Sequence, residues 1–366
     1  MSLRLAHPPK SILLIATRQI GDVLLVTPLL RSLRAAWPEA QIDVLVYTNK
    51  GGMLEGNPDC NNVIESDEHP DFKGYQILFK TIFRNYDLAV SSQANDRGIL
   101  YAFLAGKKRI GIVPNLTRQS LWKRMICNAW KLLDNLHTHT VIQNLLLADS
   151  LGIQKYFEII PPADINAIEE LDRLLQFDWR NTEYVVLHPF PMWRYKRWTD
   201  EGWKALSHYL IATGKFIVLS GGNAKEETTY CEELAAHFPE RMQSLAGKTS
   251  FGVLSEVLKH ATAYIGPDTA TTHLAAACGI PTLAIYGPTN PVKWGPWPKN
   301  YHSEASPWKM AAPYQRVGNV LLLQGLGECV PCHEEGCDRH KNSESRCLNE
   351  LPSQRVITAL EILMTT

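Results

Sequence analysis

Short apolar runs alternate with segments of helical period along most of the chain. The apolar runs lie at 12–16, 42–47, 87–91 and 109–113 in the first half, and at 184–188, 216–220, 263–266 and 282–286 in the second. Segments of helical period lie between them, at 23–36, 201–212, 226–237 and 269–278. Strands that are apolar on both faces and alternate with helices predict parallel sheets covered on both sides. Each half is therefore predicted to be a doubly wound α/β domain.

The domain boundary is predicted near residue 180, because a charged, strand-poor stretch at 164–182 separates the two halves. We expect an N-terminal domain at 1–180 and a C-terminal domain at 181–350 that ends in a cysteine-rich segment at 329–347. The amphipathic pattern from Ser353 to Met364 starts with a serine and predicts a closing helix within 351–366.

Composition fits a folded chain of two to three domains, with 366 residues, 45% hydrophobic and 20% charged. The 37 bases balance the 37 acids, so no net field draws the protein to nucleic acid or to an anionic membrane. The apolar run at 12–16 is too short for a signal peptide and is stopped by Arg18, and no run of eighteen apolar residues exists. These features predict a cytoplasmic protein.

Two common nucleotide-binding motifs are missing. No predicted strand is followed by G-x-G-x-x-G, which argues against a nicotinamide dehydrogenase. Gly247-Lys248-Thr249 is similar to the end of a phosphate-binding P-loop, but Met242 stands where that loop needs its first glycine. We interpret this segment as a strand-to-helix connection, with Thr249 or Ser250 capping the helix.

Candidate chemistry lies just after strands, because open parallel sheets bind ligands at the carboxyl ends of their strands and two such domains can face a cleft. Asp22 follows the first strand, where its plain interpretation is a carboxylate that favours a helix N-terminus. Lys196 lies in a loop rich in cations and aromatic residues, where a solvated lysine is the plain interpretation.

A second candidate site opens a helix after the strand at 263–266. The amides and hydroxyls of Thr269 and Thr272 offer a site for a phosphate, whereas Asp268 is either a helix cap or part of that site. His273 follows in an alanine-rich helix and fits equally well as a packed, hydrogen-bonded core histidine.

Taken together, five motifs resemble one enzyme family over nearly the whole chain. They are Gly21-Asp22-Val23, Lys196-Arg197-Trp198, Leu245-Ala246-Gly247-Lys248-Thr249, Gly266-Pro267-Asp268-Thr269 with His273-Leu274-Ala275-Ala276-Ala277, and Tyr286-Gly287-Pro288-Thr289. In this order and spacing they are similar to the heptosyltransferases of glycosyltransferase family 9. The resemblance implies a GT-B architecture of two Rossmann-like domains facing a cleft. It also implies transfer of a heptose from ADP-heptose to the lipopolysaccharide inner core, with inversion and without a required metal.

The resemblance also implies roles for the candidate residues. Asp22 would act as the general base on the acceptor hydroxyl. Lys196 would pair with the pyrophosphate of the donor and neutralise charge on the departing ADP. Asp268 would hold donor hydroxyls, and Thr269 and Thr272 would hold phosphate oxygens.

The remaining donor-binding candidates are His273, which would support the phosphate-binding helix from behind, and Glu226, which would lie near the adenosine ribose. The adjacent Glu227 is the alternative to Glu226. The family often has small hydroxylated residues before the phosphate-binding lysine, where this chain has Met192, Trp193, Arg194 and Tyr195. That departure leaves the identity of the donor sugar open.

Residues 97–131 contain eight bases and no acid, although the whole chain is neutral. Solvated surface charge is the plain interpretation. Apolar residues interrupt the run, so it also fits a basic amphipathic face for a phosphorylated, lipid-anchored acceptor at the cytoplasmic face of the inner membrane. We predict peripheral membrane contact there, through Lys107, Lys108, Arg109, Lys123 and Arg124.

Cys329, Cys332, Cys337 and Cys347 fall within nineteen positions. Their C-x2-C-x4-C-x9-C spacing suits a tetrahedral structural zinc or iron site, with a disulfide pair or free thiols as alternatives. No catalytic cofactor is expected.

Three other functions stay open. The chain fits a transferase of the same fold that uses another nucleotide sugar, or one with a protein acceptor. It also fits a nucleotide-sugar-binding protein without turnover, although such a protein has no need of Asp22 as a base.

Overall fold

The computed structural model describes residues 3–365. These residues form two compact units, one containing the chain up to residue 162 together with 302–306, and the other containing 163–301 and the chain from 307 onward. They are called the first unit and the second unit below.

The first unit has six strands among its described residues, β1 (Ser11–Ile15), β2 (Gln41–Tyr47), β3 (Asn62–Ser66), β4 (Tyr86–Ser91), β5 (Gly106–Val113) and β6 (Ala129–Leu132). Its helices are α1 (Ile20–Leu24), α2 (Thr27–Ala36), α3 (Phe72–Ile82), α4 (Asp96–Ala105), α5 (Leu121–Ile126) and α6 (Thr140–Leu151). Short 3-10 turns occur at Gly51–Leu54 and Arg118–Ser120.

The first sheet is parallel and has the strand order β3-β2-β1-β4-β5-β6. The chain moves outward from β1 in one direction and then returns to build β4 on its other side, where Ile12 pairs with Leu88. Residues such as Leu13 and Leu14 point to opposite faces and are both fully buried, as a strand covered on both faces requires.

The second unit has seven strands among its described residues, β7 (Tyr184–Leu187), β8 (Phe216–Leu219), β9 (Met242–Ser244), β10 (Ala263–Pro267), β11 (Thr282–Tyr286), β12 (Tyr314–Val317) and β13 (Val320–Gln324). Its helices are α7 (Ala167–Leu174), α8 (Asp200–Ala212), α9 (Lys225–Ala236), α10 (Phe251–Lys259), α11 (Ala270–Cys278), α12 (Pro291–Trp294), α13 (Arg346–Asn349) and α14 (Ser353–Met364). A 3-10 turn spans Arg194–Lys196.

The second sheet repeats the plan of the first. Its order is β12-β13-β11-β10-β7-β8-β9, and all pairs are parallel except the edge hairpin of β12 and β13. The direction of winding reverses between β7 and β10. The expected α/β class with two doubly wound parallel sheets, the GT-B type, is confirmed.

The boundary between the units lies at residue 162 rather than near 180. Helix α7 and the residues after it are part of the second unit and pack on its other elements. The amide of Gln243 donates to the Leu174 carbonyl at 2.6 Å, and the Phe177 ring stacks on Phe216 with centroids 4.0 Å apart. The charge of this segment marks an exposed helix face and not a linker.

The predicted closing helix is present as α14, and it belongs to the second unit. Val356 and Leu360 are buried in the same apolar core as Trp203, and the Trp198 indole donates to the Leu351 carbonyl at 2.9 Å. Within residues 3–365, no helix is both long and apolar enough to cross a membrane.

Two local expectations have definite outcomes. The helix expected at 23–36 is two helices, because Pro28 opens a new helix within the first turn of α2. Ser250 caps α10, since its hydroxyl accepts the amide hydrogen of Val253 at 3.2 Å.

Candidate functional site

The strand order of the second sheet brings Lys196 and Asp268 together. Lys196 lies in the loop after β7, and Asp268 directly follows β10. These two strands are neighbours, with Leu187 opposite Ile265, so their carboxyl ends open at the point where the winding reverses. In sheets of this kind, that point is where ligands bind.

Lys196 and Asp268 form an ion pair that is mostly shielded from water. Lys196 Nζ lies 2.5 Å from Asp268 Oδ2, with side chains 19% and 8% exposed. The Tyr286 hydroxyl donates to Asp268 Oδ1 at 3.3 Å. Burial alone raises the pKa of Asp268, but the Lys196 ammonium outweighs it and lowers this pKa below its ordinary value. Asp268 is therefore a charged member of the pair and not a helix cap.

The start of α11 differs from the predicted phosphate site in one respect. Thr269 is the residue before the helix, and its side chain caps no helical amide. Thr272 is fully buried, and its hydroxyl is bonded to the Tyr264 hydroxyl at 2.8 Å and to the Pro267 carbonyl. The expectation that the Thr272 hydroxyl holds a phosphate is therefore wrong. The amides of the first turn remain the helix's donors for an anion.

His273 lies inside the second unit behind this helix start. Burial lowers its pKa to about 4, so the ring is neutral at physiological pH. Its Nδ1 atom is buried and has no hydrogen-bond partner among the described residues. The expected packed histidine is present, but this nitrogen is not hydrogen-bonded.

The acidic candidates at the start of α9 take different positions. Glu226 is exposed, whereas Glu227 is half-buried against the turn formed by Gly221 and Gly222. The Glu227 carboxylate accepts a hydrogen bond from the Gly222 amide, and burial raises the pKa of Glu227. A Cβ on Gly222 would lie 2.8 Å from Glu227 Oε2, so a side chain at position 222 would displace this carboxylate. The turn after β8 therefore holds Glu227, and Glu226 faces solvent beside it.

Arg197 is a residue of this region to which the sequence had given no role. Its guanidinium carbon lies 3.6 Å from the centre of the Phe190 ring, and its Nε is buried without a partner among the described residues. Burial, followed by the neighbouring Arg194, lowers the pKa of Arg197, whereas Glu226 opposes that shift. Arg197 is thus directed toward α9, while Lys196 is directed toward α11.

Asp22 lies in the first unit, in the first turn of α1 and just beyond the carboxyl end of β1. Its side chain is 12% exposed, and Oδ1 lies 3.7 Å from Nη1 of Arg18. The position in the fold matches the one expected from the sequence, at the strand where the first sheet reverses its winding.

The basic run at 97–131 does not form one exposed face. Lys123 is buried, and its ammonium contacts Asp96 at 2.5 Å and the Ala94 carbonyl at 3.1 Å. The expectation that Lys123 lies on a membrane-facing surface is therefore wrong. Its partner Asp96 precedes the run by one position, which is why the run contained no acid.

The other cations of the run differ in exposure and in their partners. Lys107 and Lys108 are exposed on β5, with Lys107 paired to Asp87 at 2.9 Å. Arg109 is half-buried and donates to the Ile126 carbonyl at 2.7 Å. Arg124 is also half-buried and donates to the Thr117 carbonyl at 3.1 Å.

The four clustered cysteines are free thiols. Burial and then the thiols of Cys332, Cys329 and Cys337 raise the pKa of Cys347 to about 12, which shows that the four are near one another. Nevertheless, within residues 3–365 no three or more cysteine, histidine or carboxylate side chains are arranged to hold a metal ion. The structure gives no support to the predicted zinc or iron.

The sequence profile of glycosyltransferase family 9 (heptosyltransferase) matches residues 76–318, well over half of the chain. The chain belongs to glycosyltransferase family 9. Its residues 76–318 include Lys196 and Asp268, and the protein is a glycosyltransferase.

Known members of family 9 resemble the chain over nearly its full length. It is 27% identical over 359 residues to lipopolysaccharide heptosyltransferase 3 of Escherichia coli K12, which covers 95% of this chain and 96% of that protein. ADP-heptose lipopolysaccharide heptosyltransferase II of E. coli has a similar fold, with a TM-score of 0.72 at 20% identity over 97% of this chain and 98% of that one. E. coli heptosyltransferase WaaC with ADP gives a TM-score of 0.71 at 21% identity, over 96% and 99%.

The contacts that Asp268 makes with Tyr286 and Lys196 were not predicted from the sequence, although all three residues stood in its motifs. Tyr286 stood in the motif Tyr286-Gly287-Pro288-Thr289, but its contact with Asp268 depends on β11 lying beside β10. The contact between Lys196 and Asp268 follows from strand order, and strand order is a property of the fold that no local pattern contains.

The buried histidines predict acid sensitivity of the second unit. Burial lowers the pKa of both His188 and His273 to about 4, from 6.5. Below pH 6.5 these histidines become protonated in the unfolded chain, whereas in the folded chain they stay neutral down to about pH 4. The free energy of unfolding therefore falls as the pH falls through this window. The loss is on the order of 3 kcal/mol per histidine. We expect His273→Asn to reduce the dependence of Tm on pH between 6.5 and 4.

The control is His208→Asn, which removes an exposed histidine of the same unit. Thermal unfolding should show the same pH dependence for this variant as for the parent protein. A His273→Asn variant with the parent's full dependence on pH would contradict the assignment.

Proposed function

We propose that this protein transfers a heptose from ADP-heptose to an acceptor sugar of the lipopolysaccharide inner core, with inversion at the anomeric carbon. The observation that carries the proposal is the pair of Lys196 and Asp268 at the winding reversal of the second sheet. Family membership supports the reaction class. Solved complexes of WaaC with ADP and with ADP-2-deoxy-2-fluoro heptose support the donor.

In this proposal the second unit binds the donor through its pyrophosphate. The ammonium of Lys196 and the first-turn amides of α11 supply positive charge for phosphate oxygens. Asp268 holds Lys196 in place before the donor arrives and then accepts hydrogen bonds from donor hydroxyls. Glu227 and Glu226 at the start of α9 offer carboxylates for the ribose, and Arg197 adds a cation on that side of the site.

The transfer is a single in-line displacement. The acceptor oxygen forms its bond to the anomeric carbon as the bond from that carbon to the phosphate oxygen breaks, and ADP leaves. Asp22 takes the proton of the acceptor hydroxyl, and Lys196 neutralises the charge that develops on ADP. One displacement inverts the anomeric configuration, and the scheme requires no metal.

We assign acceptor binding to the first unit, which contains Asp22. The exposed Lys107 and Lys108, with Arg109 beside them, offer cations for a phosphorylated acceptor, whereas Lys123 is not available. A lipid-anchored acceptor places the protein at the cytoplasmic face of the inner membrane, in peripheral contact with it.

The role of Asp22 is tested by Asp22→Asn. Because the amide cannot accept the hydroxyl proton, we expect kcat to fall by about 10² to 10⁴ while ADP affinity changes by less than about twofold. The measurement is heptose transfer from ADP-heptose, together with calorimetric titration of ADP. Asp149→Asn, in α6 of the same unit, is the matched control and should keep full turnover. Turnover of Asp22→Asn within about tenfold of the parent would refute this role.

The role of Lys196 is tested by Lys196→Gln. Loss of a charge-assisted contact to phosphate should weaken ADP binding by about 10- to 100-fold, and AMP binding by less, because AMP lacks the second phosphate. Lys215→Gln is the matched control, since Lys215 lies just before β8, at the amino ends of the strands of the same sheet, whereas Lys196 follows their carboxyl ends. Equal losses for ADP and AMP would place the pyrophosphate elsewhere.

A further inference from the structure

The first unit has an exposed aromatic helix face that the proposed chemistry does not use. In α3 only Leu78 and Ile82 are buried, whereas Phe72 is 79% exposed and Ile77 is 58% exposed. Exposed apolar patches of this kind mark interaction sites in soluble proteins.

The exposed aromatic residues form a single stripe. Residues 72, 75, 79 and 83 are spaced by three or four positions, so Phe72, Tyr75, Phe79 and Phe83 lie along one side of the helix. The rings of Phe79 and Phe83 stack with centroids 4.4 Å apart. Phe72, Tyr75 and Phe79, together with Leu104 of α4, border a shallow groove of about 360 Å³.

Unpaired cations flank this aromatic stripe. Lys73 and Lys80, two turns apart, lie on the neighbouring face of α3, and Arg84 follows the end of the helix. Among the described residues none of these three forms a salt bridge, whereas Lys107 and Lys123 are paired with Asp87 and Asp96. Arg84 also lies near Arg109, since its charge, after burial, lowers the pKa of Arg109.

The charge of the helix differs between its two ends. Four acids, Glu65, Asp67, Glu68 and Asp71, precede or open α3, and the Asp71 carboxylate accepts the Gly74 amide at 2.7 Å. The C-terminal end carries only Lys80 and Arg84. An anionic surface is therefore attracted to the C-terminal end, where Phe79 and Phe83 also lie.

We propose that the C-terminal end of α3, with Phe79, Phe83, Lys80 and Arg84, inserts into the surface of an anionic lipid bilayer. Aromatic rings enter the boundary between headgroups and acyl chains, and the adjacent cations bind phosphate groups of the lipids. A second copy of the chain is a poorer occupant, because a two-fold interface would bring the same unpaired cations of both copies together. The surface deepens the proposed function, since it rests on a lipid-anchored acceptor for its choice of partner.

The test is binding of the full chain to vesicles of phosphatidylethanolamine, made with and without phosphatidylglycerol. We expect binding that requires phosphatidylglycerol. Phe79→Ser with Phe83→Ser, and separately Lys80→Gln with Arg84→Gln, should each weaken it by about tenfold or more. Lys107→Gln with Lys108→Gln tests the competing surface, and Ile165→Ser, which changes a 99% exposed side chain of the second unit, is the control.

Several results would overturn the proposal: no vesicle binding by the parent protein, unchanged binding by the α3 variants, or an equal loss with the Lys107 and Lys108 variant. Sedimentation velocity without lipid tests whether a second copy of the chain covers this face. A parent protein that is a dimer, together with α3 variants that are monomers, would place a second copy there. An unchanged circular dichroism spectrum and an unchanged Tm of the α3 variants show that they are folded. The vesicles contain neither donor nor acceptor sugar, so this outcome is independent of the proposed transfer reaction.

Discussion

The ion pair of Lys196 and Asp268 is the interaction on which the proposed donor site depends. Two charges held away from water cost several kcal/mol each in lost hydration, and their attraction offsets this cost only while both are present. Such a pair contributes little to net stability. The pair is better suited to an exchange of partners, because a phosphate that reaches Lys196 replaces the Asp268 carboxylate with another anion. The pair therefore keeps a cation ordered and partly dehydrated at the place where a pyrophosphate is proposed to bind.

The strand order of the two sheets explains how the two units can share a fold and differ in chemistry. In both sheets the first strand lies beside the fourth, so the loop after the first strand opens at the reversal of winding. The first unit places Asp22 after β1, and the second places Lys196 after β7. The order that the first four strands of each sheet share thus positions a carboxylate after the first strand of one unit and an ammonium after the first strand of the other.

The sequence predicted the parallel sheets well, because strands buried on both faces are continuous apolar runs that are easy to detect. It did not predict β3, whose residues Asn62–Ser66 are mostly exposed at a sheet edge, nor α3, whose apolar residues face both core and solvent. For the site, the sequence identified Asp22, Lys196 and Asp268 individually. It could not show that Lys196 binds Asp268, that Tyr264 occupies the Thr272 hydroxyl, or that Asp96 draws Lys123 into the interior, since each contact depends on tertiary packing.

The proposed exchange at Lys196, from Asp268 to the donor pyrophosphate, is tested most directly by a crystal structure of the protein with ADP. We predict that Lys196 Nζ lies within hydrogen-bond distance of a terminal phosphate oxygen, with α11 amides on the same group. An ADP pyrophosphate bound away from Lys196, with the ion pair to Asp268 unchanged at 2.5 Å, would contradict it.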